Sequence, residues 1–96
     1  MAYYIYHLLA MDLIVFLSWA PANFVAICYG LEFNVSTQDF QGKVRVQYVK
    51  DRANFDIVLF NSNGKAVARK YGLNPNELIN NIGTMLKYRS HQLQAV

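Results

Sequence analysis

The sequence predicts an α+β protein: an apolar helical segment at the N-terminus, a three-stranded antiparallel meander, and a C-terminal amphipathic helix. Three observations predict it. Residues 1–33 are nearly uncharged, and 26 of them are hydrophobic. Residues 43–71 alternate polar and apolar side chains in runs separated by turn-forming residues. Residues 74–86 combine a helix-start signal with apolar side chains three and four apart.

The first element is an asymmetry of charge. Over all 96 residues the hydrophobic fraction is 54%, the charged fraction 16% and the net charge +3. Those values exclude a disordered tail and allow one domain. They average over unlike parts, because residues 1–33 carry −2, from Asp12 and Glu32, and residues 34–96 carry +5. The boundary at 33/34 therefore separates an apolar segment, 1–33, from a basic β-β-β-α module, 34–96.

Residues 13–31 contain no charge. As a helix at ~1.5 Å per residue they would cover about 28 Å, the thickness of a bilayer's hydrocarbon core. This membrane-anchor reading places the basic module in the cytoplasm by the positive-inside rule. Pro21 and Asn23 interrupt the run, and a frame starting near Tyr4 would bring His7 and Asp12 into the bilayer. No Lys or Arg precedes the run, so the basic region of a signal peptide is missing. The competing reading is a buried core element of a cytoplasmic protein. Residues 3–9, 13–19 and 24–33 then form strands, or a helix pair broken at Ala20-Pro21. A segment apolar on every face gives periodicity nothing to detect.

In the module, Lys43, Arg45 and Gln47 alternate with Val44, Val46 and Tyr48, which reads as a half-buried strand. Residues 54–60 are more apolar and read as a central strand. Asn61-Ser62-Asn63-Gly64 signals a tight turn into a third strand at 65–71. Asn74, Pro75 and Glu77 supply an N-cap, a first-turn proline and the acid of a capping box. Leu78, Ile79, Ile82, Met85, Leu86 and Leu93 form the apolar stripe of the helix that follows, with Lys87 and Arg89 near its C-terminal end. Below about 70–80 residues a single core supplies few kcal/mol, so the module is expected to rest against residues 1–33, a second subunit or a partner.

Chemistry-bearing patterns are sparse. The two histidines, His7 and His91, lie at opposite ends, and no nucleophile elbow, CxxC, HxxxH or P-loop occurs. No catalytic residue, metal site, cofactor or small-molecule substrate is inferred. Cys28 reads as a small buried hydrophobe. Asp12 reads either as the N-cap of a helix starting at Leu13 or as a buried polar contact inside a membrane or bundle. Lys43, Arg45, Arg69 and Lys70 are the candidate binding residues of an exposed basic strand face, with Tyr48 or Tyr71 available for stacking. Residues 65–86 also admit a helix-turn-helix reading through Ala68, Gly72 and Leu78.

These features favour a non-enzymatic accessory protein, membrane-anchored, whose basic module docks on a protein partner or on a second copy. The alternative is a soluble α+β binding protein, with nucleic acid as a weaker possible partner, whose N-terminal half completes the core.

Overall fold

The computed structural model describes the backbone of residues 1–95 and the side chains of residues 1–87. Two short helices, α1 (Ala2–Ala10) and α2 (Leu13–Ser18), precede five strands. These are β1 (Ala22–Ile27), β2 (Gly30–Ser36), β3 (Gln41–Val49), β4 (Asn54–Asn61) and β5 (Ala66–Leu73). A 3₁₀ turn at Pro75–Glu77 then leads into α3 (Leu78–Ala95). The strands form one antiparallel sheet in sequence order, β1-β2-β3-β4-β5.

The sheet corrects the expected fold, which had three strands and a helical N-terminal segment. β3, β4 and β5 occupy the places of the three expected strands, and β1 and β2 extend the sheet into the apolar segment. The run 13–31 is no single helix. It is one short helix, one strand and the start of another. Among the described residues no helix is long and apolar enough to cross a membrane. The physical reason lies at residues 19–21. Ala20 adopts φ +50°, and its N–H donates to Leu17 O at 3.0 Å. A left-handed residue followed by Pro21 ends a helix, because proline cannot continue it and pushes its predecessor out of the helical region. Beyond that stop, β-branched and aromatic residues take the strand conformation they favour. β2 then carries the chain past residue 33 without a break and pairs with β3 from Gly30↔Gln47 to Ser36↔Gln41.

One face of the sheet is the core face. Leu31, Phe33, Val35, Val44, Val46, Phe55, Ile57 and Leu59 alternate onto it and are buried. α1 lies against β2 with Ile5 and Leu9 buried, and α3 packs on β5 and both short helices with Leu78, Ile82 and Leu86 buried. The spacing of four along α3 keeps those three residues on one face. Phe16 and Trp19 of the α2 region fill the end of this layer, with Phe16 edge-on to Phe33 at 5.9 Å and to Trp19 at 5.8 Å. The capping box forms as the sequence implies, with Asn74 N–H donating to Glu77 Oε1 at 2.8 Å. Leu93 and Arg89, assigned above to the stripe and to the helix end, have side chains outside the described residues.

The helix-turn-helix reading does not survive. Its first helix would occupy residues that form β5, paired with β4 from Phe55↔Leu73 to Phe60↔Ala66.

Candidate functional site

The sheet face away from the helices is polar. Cross-strand pairing sets its rows, since directly opposed residues share a face. One row runs from Glu32 through Arg45 and Val58 to Arg69. A second runs from Asn34 through Lys43 to Phe60. Three of the four basic residues singled out from sequence, Lys43, Arg45 and Arg69, therefore lie together on this face. Lys70 does not, because it pairs opposite the buried Ile57 and so belongs to the helix-side face at the sheet's edge. Adjacent strand residues point to opposite faces, so Arg69 and Lys70 are divided by the pleat itself.

Sequence reasoning missed Glu32, which organises the face. Arg45 Nε donates to Glu32 Oε2 at 2.6 Å, and Lys43 Nζ stands 3.8 Å from Glu32 Oε1. The Glu32 side chain is 12% exposed, so the pair is better shielded from solvent than a surface ion pair. Arg45 also lies over the Phe60 ring, 4.8 Å from its centroid. The available signal was a lone acid at Glu32 in an apolar run, two residues past a glycine. On a strand that pattern places the acid on the outer face. A shallow cleft of about 560 Å³ at the Ser36 end of this face is lined by Asn34, Gln41, Lys43, Asn61 and Ser62 among others.

Neither proposed stacking residue takes part in a basic patch. Tyr48 packs against Phe55, 5.3 Å between centroids, on the helix side. Tyr71 is exposed in the β5 bulge, beside Gly72. At that bulge Arg52 Nη2 binds both oxygens of Asp56, at 2.9 and 2.8 Å, and Asp56 Oδ1 accepts the Gly72 N–H at 3.1 Å.

The N-terminal third presents a different surface. Met11 is 83% exposed and Ile14 86%, and Leu13 and Leu17 are exposed beside them. Asp12, read from sequence either as an N-cap or as a buried polar contact, is exposed in this corner. It precedes α2, and its carbonyl accepts the Phe16 N–H at 2.9 Å, but its side chain makes no capping hydrogen bond. Next to the corner, α1 and β1 border a shallow apolar groove of about 470 Å³ lined by Tyr3, Tyr6, His7, Phe24 and Ala26 over Leu31. Cys28, expected to be buried, is exposed in the turn between β1 and β2.

Among the described residues no three His, Cys, Asp or Glu side chains gather as a metal site. Comparison with protein-family models, curated proteins and solved structures gives no match to this chain.

Proposed function

We propose that this chain is a non-enzymatic accessory protein that docks on a protein partner through its apolar corner, residues 11–17. The observation that carries the reading is the exposure of Met11, Leu13, Ile14 and Leu17 in one short stretch. Scattered apolar side chains are normal on a surface, but a contiguous group marks a contact. A lipid surface suits it less well than a protein. Membrane-surface helices pair an apolar face with Lys and Arg, whereas the only charge between Met11 and Trp19 is the anion Asp12. The basic residues lie elsewhere, on β3 to β5 and the segments that follow. On the open sheet face Glu32 already engages Arg45 and Lys43, which leaves fewer cations for phosphate than the sequence count suggests.

The test is site-specific photocrosslinking in the cells that make the protein, with the probe at position 14 and a control probe at position 63 in the β4–β5 turn. A discrete protein adduct from position 14 only, lost on Leu17→Glu, is the expected result. Adducts to lipid alone, or equal labelling from both positions, would overturn the reading. If purified protein instead binds single-stranded nucleic acid with an affinity that falls steeply with salt, the open sheet face is the working surface.

A further inference from the structure

We infer that β1 and the groove beside it receive β1 of a second copy, joining two sheets antiparallel across a two-fold axis at Val25. Four features of β1 lead there.

First, β1 is an edge strand whose neighbour lies on one side only. In an antiparallel ladder alternate residues turn their N–H and C=O groups to the two sides, so half of these groups on β1 face outward. Second, apart from a register irregularity between Ala22 and Val25, nothing on β1 discourages pairing with itself. It carries no charged residue, and none occurs from Leu13 to Leu31. Two copies bearing +5 over residues 34–96 repel through their basic parts and meet most favourably along this uncharged edge.

Third, the side chains are self-complementary. Ala26 pairs with the buried Leu31 and so belongs to the helix-side face, as does Phe24, whose ring lies 5.4 Å from Phe33 and 5.3 Å from Tyr6. An axis at Val25 sets Phe24 of one copy directly opposite Ala26 of the other. The large ring then fills the space left by the small side chain, beside Tyr3 and His7 in the groove. An axis at Ala26 would instead oppose two alanines and leave both grooves empty.

Fourth, the area suffices for a modest dimer. Tyr3, Tyr6, Phe24, Val25 and Tyr29 are each two-fifths exposed or more. Covering them with the strand backbone removes roughly 500–800 Å² per copy, which reaches the lower end of specific interfaces at about 600 Å². This assembly is distinct from docking at residues 11–17, and either can exist without the other.

Sedimentation equilibrium on the full chain tests it. The wild type is expected to dimerise reversibly. Ala26→Lys places a cation in the groove of each copy and is expected to raise the dimer dissociation constant at least about tenfold. Ala26 is exposed, so the variant should fold, and its circular dichroism checks this. Ile14→Glu is expected to dimerise as the wild type does, which separates this proposal from the docking reading. An independent measurement is disulfide trapping with oxidised glutathione. Val25→Cys in a Cys28→Ser background is expected to give a covalent dimer, since directly opposed residues on such strands lie within disulfide range. A wild type that stays monomeric at millimolar concentration, a dimer indifferent to Ala26→Lys, or failure of the Val25→Cys trap would each overturn the proposal. A position-14 adduct from a monomeric protein would sink this inference alone.

Discussion

β1 and β5 are the two edges of one sheet, yet they treat their unpaired sides in opposite ways. β5 carries Arg69 towards the open face and Lys70 towards the helix face, and its ladder with β4 shifts register twice. Charge and bulges are the usual means by which an edge resists pairing with another chain. β1 has one register shift, near Asn23 at φ +57°, and then runs Phe24-Val25-Ala26-Ile27 with no charge. One sheet thus holds a charged, twice-bulged edge and an uncharged one with a single irregularity. The charges sit on the basic side, where solvent is the natural neighbour, and are absent on the apolar side, where the proposed second copy would pair.

The comparison can be broken at the packing that holds each edge. The largest effect is expected at the β1 end. Phe16 meets Tyr6, Trp19, Phe24 and Phe33 with centroids between 5.8 and 6.1 Å, so it joins both short helices to β1 and β2. Phe16→Ala should destabilise by about 4 kcal/mol through lost burial and the cavity left behind. Chemical denaturation measures this. A loss below about 1 kcal/mol would mean that the N-terminal elements add little to the core.

A smaller effect is expected at the β5 bulge. Gly72 sits at φ +73° and donates its N–H to Asp56. A Cβ there would meet Arg52 and Asn54 at 3.7 Å, an ordinary contact, so the penalty of Gly72→Ala is conformational rather than steric. It should come to about 1–2 kcal/mol. The corresponding site on β1 needs no glycine, because Asn tolerates the left-handed region better than most residues. Asn23→Gly should therefore leave the denaturation midpoint nearly unchanged, and a large shift there would show that the Asn23 side chain, rather than its backbone, shapes β1.

This difference also explains how much of the fold the sequence revealed. β4 and β5 were legible because Asn61-Ser62-Asn63-Gly64 spells a turn, and the structure uses it: Asn61 Oδ1 accepts the N–H groups of Asn63 and Lys65, and Gly64 takes φ +82°. The β1–β2 turn carries no such spelling. Its left-handed residue is Tyr29, at φ +59°, where composition gives no warning. β1 was hidden for that reason, and because its apolar run has neither a helical nor a twofold pattern; β2 does alternate, with Leu31, Phe33 and Val35 inward, but the apolar run before it masks where it starts. The candidate site was legible in part. Alternation alone separates Arg69 from Lys70, but the ion pair of Glu32 with Arg45 needs the β2–β3 register, which a separation of thirteen positions does not announce.

A similarly small change in stability accompanies the sharpest test of the comparison. Arg69 and Lys70 are exposed, and replacing both by valine should alter the unfolding free energy by no more than about 0.5 kcal/mol, because neither ion has a partner to lose among the described salt bridges. What should change is association. With its cations gone, β5 becomes an apolar edge like β1, and a chain with two open edges can add copies at both ends. A two-fold contact at β1 closes after two chains, but a second contact at β5 does not close the set. Arg69→Val with Lys70→Val should therefore convert a limited dimer into species whose mass rises with concentration, read by light scattering. If the double variant stays as limited as the wild type, the two bulges alone protect β5 and its charges serve only solubility. The contrast between the edges would then rest on backbone geometry rather than on charge.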